Sequence, residues 1–336
     1  MTSGGKMKKK ILTVFGCSLL GVLICQPVSA AGTAAQLQKQ TKSGTSINVH
    51  SKVIEIEGRL GVGYLNGESN ELVYSEGDGA KLSQLIWKLD NVFMLNAGVS
   101  VRPRPWIKLN ADIWFALNEG DNTMDDYDWA VSGWDWTHWS HHEDVRLEHG
   151  GMFDINVEVP VYRHQATTFT ALIGFKRDNW EWKSYGGRYV YSIYDLHDTQ
   201  GTFDANEIGI TYEQTWNVPY VGFSFYSVVT NWDISGRVIG SPLVKGEDKD
   251  IHHMRDLLFE EDFDTSWMWA ADLALTYKLS PHWGLTGLFS YQYYDEAKGE
   301  TTITDLITGE QWYYPGDSAG ADNVATTVSL RLDCRF

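Results

Sequence analysis

Apolar and polar residues alternate with a period of two over several long stretches of this chain. Between Trp267 and Tyr277, one side carries Trp267, Trp269, Ala271, Leu273, Leu275 and Tyr277. The other side carries Met268, Ala270, Asp272, Ala274 and Thr276. The C-terminal stretch sets Val324, Thr326, Val328, Leu330, Leu332, Cys334 and Phe336 against Ser329, Arg331, Asp333 and Arg335. The first such stretch sets Ile54, Ile56, Gly58, Leu60, Val62 and Tyr64 against Glu55, Glu57 and Arg59. Alternation over more than about ten residues is long for a soluble sheet and ordinary for a strand with lipid on one face.

The connections between these stretches fall into two kinds. Short turns marked by proline or polar residues are expected at 102–105, 162–165, 217–219 and 279–282, and long polar connections near 66–81, 118–147, 193–204, 242–263 and 297–321. Short and long alternate, as periplasmic turns and extracellular loops do, and nine connections imply ten strands. The predicted fold is all-β: a ten-stranded antiparallel transmembrane β-barrel with extended extracellular loops, spanning 51–336. The 15 Trp and 17 Tyr suit aromatic girdles at the two interfaces. Ending the last alternating strand on Phe336 is common among outer-membrane barrels. Residues 31–50, polar and flexible in composition, read as a lead-in.

Residues 1–30 read as a secretory signal: Lys6, Lys8, Lys9 and Lys10, an apolar run from Ile11 to Cys25, and a small-x-small site at Val28, Ser29 and Ala30. The formal charge is −17, and that segment carries four lysines and no acid, so the remainder carries −21. Such a surface disfavours nucleic acid and favours cationic ligands. Cys17 and Cys25 fall in the signal, so neither an intramolecular disulfide nor a Cys-rich metal site is expected.

Two loops carry candidate chemistry. Asp126 and Asp128 are spaced i, i+2, so on an extended segment both carboxylates point one way, where a pair can share a proton and hold a water. A solvated acidic loop or a calcium site fits the same residues. Asp250 and His252 have the same spacing, and a carboxylate beside an imidazole fixes its tautomer and raises its basicity. His253 is expected to turn away. His138, His141, His142 and Glu143 form a dense cluster, but ordinary rim surface is preferred there to a metal site. No Walker loop, G-x-S-x-G elbow or H-E-x-x-H motif is present.

These motifs resemble the omptins, the outer-membrane aspartate–histidine proteases, from about Val53 to Phe336. The resemblance is carried by 71–74, 81–88, Met124 to Trp129, Trp136 and Thr137 with Ser140 and His142, Gly186 and Gly187 with Tyr189, Tyr212 to Tyr220, and Asp248 to His252. It implies a ten-stranded barrel of the outer membrane, with Asp126, Asp128, Asp250 and His252 as catalytic residues. Asp126 and His252 would activate a water, Asp250 would orient His252, and Asp128 would support the pair. Glu71 and Asp248 fall on the family's acidic pocket, which implies cleavage after Arg or Lys in cationic peptides or host proteins. No cofactor is implied, with lipopolysaccharide as a candidate requirement for activity and a monomer as the expected state. Positions matching the family's basic lipopolysaccharide-binding residues read Asn179, Thr215 and Asp264, with Lys176 and Arg177 nearby. His138 and Glu143 replace the family's usual Asp and Pro. The competing readings are a non-enzymatic adhesin or invasin whose acidic loops bind basic host proteins, and a small pore or lipid-modifying barrel.

Overall fold

Alternation along the chain becomes an inside and an outside in the computed structural model, which describes residues 54–131 and 133–336. The expected signal, the lead-in, Cys17 and Cys25 lie outside the described residues. Fourteen strands occur among the described residues: β1 (Glu55–Tyr74), β2 (Lys81–Arg104), β3 (Ile107–Ala116), β4 (Asn122–Asp128), β5 (His138–His164), β6 (Thr167–Tyr185), β7 (Arg188–Tyr191), β8 (Thr199–Thr202), β9 (Ile208–Val229), β10 (Trp232–His252), β11 (Leu257–Phe263), β12 (Ser266–Lys278), β13 (Trp283–Asp305) and β14 (Gln311–Arg335). All long pairings are antiparallel, and β1 pairs with both β2 and β14, which closes the sheet. β3 and β4 are lower and upper segments of one stave between β2 and β5. β12 and β11 divide one stave in the same way between β10 and β13. The short β7 and β8 form a hairpin that extends the upper edge of β5. Ten staves therefore make the ring.

The outer face of the lower half is apolar. Val328, Leu330 and Leu332 project outward from β14, and Trp267, Leu273 and Leu275 from β12. Polar partners face inward at the same height, where Arg59 donates to Asp112 and Arg237 is held between Asp154 and Asp272. An apolar belt over a polar interior fits a barrel in a bilayer. A charged cavity of about 630 Å³ occupies this lower interior. The backbone of Phe336 donates to Ile56 O, so the last residue is zipped to the first strand.

Three expectations from the sequence differ from the structure. A turn is absent at 217–219: Asn217, Val218 and Pro219 lie inside β9, and the chain reverses at Thr230 and Asn231. Pro219 is tolerated because the β9–β10 ladder is interrupted there, between Gly240 and Lys245 on the partner, and Pro242 falls in the same gap. Of the long polar connections, 66–81, 242–263 and 297–321 are mostly strand, whereas 193–204 keeps only the short β8 and 118–147 is interrupted on both sides of β4. β5 has 27 residues and β14 has 25, whereas about 9–11 suffice to cross a bilayer. Above the apolar belt no lipid imposes alternation, and segments outside strands there include 75–80, 117–121, 133–137, 192–198, 203–207, 253–256 and 306–310. Cys334 is buried and disulfide-bonded, against the expectation of no intramolecular disulfide.

Aromatic side chains fill the interior between the belt and the upper rim. Trp87, Trp182 and Tyr212 stack with ring centroids 5.3–6.0 Å apart, and Leu85 and Met124 pack with them. Trp216, Tyr294 and Phe263 form a second cluster. This layer supports the acidic residues of the rim.

Candidate active site

Asp126 and Asp128 stand on β4, two residues apart, and so share the inward face. Register places Asp126 beside Leu85 of β2 and Ser140 of β5, and Leu85 in turn beside Glu71 of β1. Ser83 Oγ donates to Asp126 Oδ1 at 3.4 Å. Burial and the neighbouring Asp128 hold the Asp126 carboxyl well above the usual carboxylate range; Arg255 acts in the opposite sense, and Asp250 adds to the rise. Asp250 belongs to β10, on the opposite wall, so the two acidic motifs of the sequence meet across the barrel mouth. Tyr191 of β7 faces the same space, and burial beside Asp126 and Asp128 pushes its hydroxyl up to about 12.

On the other wall, His252 Nε2 lies 2.5 Å from Asp250 Oδ2. Asp250 is buried, and the imidazole also rests against Phe259, 5.1 Å between centroids. Arg255, in the bend after β10, brings Nη2 onto His252 Nδ1. His253 leaves the strand, and its Nε2 meets Thr211 Oγ1 at 2.8 Å, on the side away from the site as expected.

Glu71 and Asp248 join this group and are almost fully buried, at 2% and 3% exposure. Tyr212 donates its hydroxyl to Asp248 Oδ2 at 2.9 Å, and Gln214 donates to that hydroxyl at 3.0 Å. Burial first, then Asp250 and Asp248, push Glu71 well above its ordinary range. Burial does the same to Asp248, against the lowering effect of the Tyr212 hydroxyl.

The histidine-rich segment divides among separate partners. His138 Nδ1 is 3.0 Å from Thr137 Oγ1, His141 Nδ1 is 2.8 Å from Asp125 Oδ1, and His142 Nε2 is 3.3 Å from Ser140 Oγ. Burial pushes His142 down to about 4, so it is neutral at physiological pH.

The same arrangement of strands occurs in a solved structure. The outer membrane protease OmpT of Escherichia coli superposes with a TM-score of 0.80 over 84% of this chain and 97% of that one, at 23% identity. The plasminogen activator of Yersinia pestis is 31% identical over 275 residues, covering 82% of this chain and 87% of the relative. Outer membrane protease OmpP of E. coli K12 is 28% identical over 329 residues, covering 93% and 98%. The omptin family model matches residues 52–336. The chain belongs to the omptin family. It is an outer-membrane protease, as its omptin relatives are.

Two residues of this omptin's rim were not singled out from its sequence. Arg255 sits in no motif, and its place beside His252 depends on the tight bend 253–256. Glu261 of β11 is 4% exposed and stands directly opposite Asp248 in the β10–β11 ladder. Counting back from the hairpin bend would have found it, because cross-strand partners share a face.

Proposed function

We propose that this omptin is an endopeptidase that cleaves after Arg or Lys, using a water activated between the Asp126–Asp128 pair and the His252–Asp250 dyad. The observation that carries this reading is the meeting of the two motifs across the barrel mouth: Asp126 is under the influence of both Asp128 and Asp250, and Asp250 lies 2.5 Å from His252. His252 takes the proton of the water as it attacks the peptide carbonyl, and Asp250 stabilises the resulting imidazolium. The Asp126–Asp128 pair holds the water and keeps one proton between two crowded carboxylates. No acyl-enzyme forms, since the nucleophile is water. Glu71 and Asp248 receive the cationic side chain before the cut, because a buried acid left against an apolar side chain is unsatisfied. Cationic peptides and basic proteins are the substrates favoured by this pocket and by the overall acidic charge.

A mixed peptide library read by mass spectrometry tests this, with refolded protein in the presence and absence of lipopolysaccharide. Cuts confined to the bond after Arg or Lys are expected. Binding of basic proteins with no cut peptide would favour the adhesin reading instead.

The pH profile gives a second test. Asp126 is held above the usual carboxylate range, so the pair keeps its one shared proton to higher pH than an ordinary aspartate would, and activity is lost as pH rises through that raised range. Arg255 opposes the rise, so Arg255→Ala is expected to move the basic limb of kcat/KM to still higher pH. A limb that stays in place, or moves down, would argue against Asp126 as the titrating group.

A further inference from the structure

Three carboxylates of the rim each present one oxygen that no protein donor reaches. Glu71 enters from β1, Asp248 from β10 and Glu261 from β11. Thr301 of β13 donates to Glu261 Oε1 at 3.0 Å, while Oε2 is buried without a donor. Asp248 Oδ2 takes the Tyr212 hydroxyl, and Oδ1 has no donor. Glu71 Oε2 is in the same condition. All three side chains are at least 96% buried. Burial holds all three above their ordinary ranges, and the nearby Asp250 adds to the rise in each. The lysines of the hairpin do not relieve this: Lys249 faces Glu260 at 3.6 Å, and Lys245 donates to Phe263 O. Buried acceptors are ordinarily satisfied, and three donorless ones beside Asp250, whose Oδ1 also lacks a donor, mark a space shaped for a donor that arrives from outside.

We propose that Glu261 is a third specificity-determining carboxylate of this pocket, and that it adapts the pocket to lysine. This rests on the reading of Glu71 and Asp248 as the pocket for the residue before the cut. An ammonium group carries three N–H donors on one atom, and acids on three strands offer one acceptor to each. A guanidinium is planar and is served by two acceptors side by side, so a third acid adds less for arginine. A cation entering this space also lets the carboxyls release the protons that crowding had retained.

The test compares two peptides that differ only in Lys or Arg before the cut, for the wild type and for Glu261→Gln, which keeps the shape and the Thr301 contact. The variant is expected to lose tenfold or more in kcat/KM for the lysine peptide, chiefly through KM, and at most about threefold for the arginine peptide. Glu261→Ala should show the same inequality, which separates the effect from packing of the glutamine. Equal losses for both peptides, or none for either, would overturn the assignment of Glu261. A wild type that cuts neutral residues as readily as basic ones would instead overturn the basic pocket itself, whatever Glu261 does.

Discussion

Replacing His252 by alanine is expected to lower kcat for a peptide with one arginine by about 10²–10⁴-fold, the range for a lost general base. Asp126→Ala should fall as far, because each variant leaves the water held from one wall only. The double variant should be little worse than either single one, since residues that act on one water as a unit are not additive. Both side chains stand on the rim above the apolar belt, so each variant should still fold into a closed barrel, read by a difference in gel migration between unheated and heated samples. A fully active single variant would sink the mechanism. Retained binding of basic proteins by Asp126→Ala, with no turnover by the wild type, would point to the adhesin.

The second large effect is expected at Asp248. Asp248→Asn keeps the shape and the contact with the Tyr212 hydroxyl but removes the charge. Losing one partner of a desolvated charge pair costs about 2–5 kcal/mol, and each 1.4 kcal/mol is tenfold. The fall in kcat/KM for basic peptides should therefore reach about 30-fold at least. The loss should appear mainly in KM, since the pocket holds the side chain and not the reacting carbonyl. A loss confined to kcat would place Asp248 with the water-activating groups instead.

How much of this was legible in the sequence depends on what each segment faces. Lipid enforces alternation, so Trp267 to Tyr277 and Val324 to Phe336 announced a barrel without any relative. Above the belt the outer face meets water and the inner face mixes acids with aromatics, so the apolar–polar pattern fades while the strand continues. That is why 242–263 looked like a loop and is a hairpin of β10 and β11. Pro219 misled for a different reason: proline signals a turn, but the interrupted ladder beside it needs no N–H. The spacing of Asp126 with Asp128, and of Asp250 with His252, was visible at once. That the two pairs meet was not, because only the closed ring sets β4 against β10. Glu261 had no motif around it, and its importance comes wholly from the register that places it opposite Asp248.

The ring has one consequence for the life of the molecule. Glu71 lies on the first strand, opposite Ala321 of the last, and the proposed water-holding groups come from opposite walls. The proposed site draws on β1, β4, β10 and β11, so no single strand or hairpin contains the whole of it. An unclosed polypeptide in transit to the outer membrane therefore carries the parts of a protease but no protease. The proposed site is complete only once its walls stand opposite each other, so closure of the ring is what would arm the molecule.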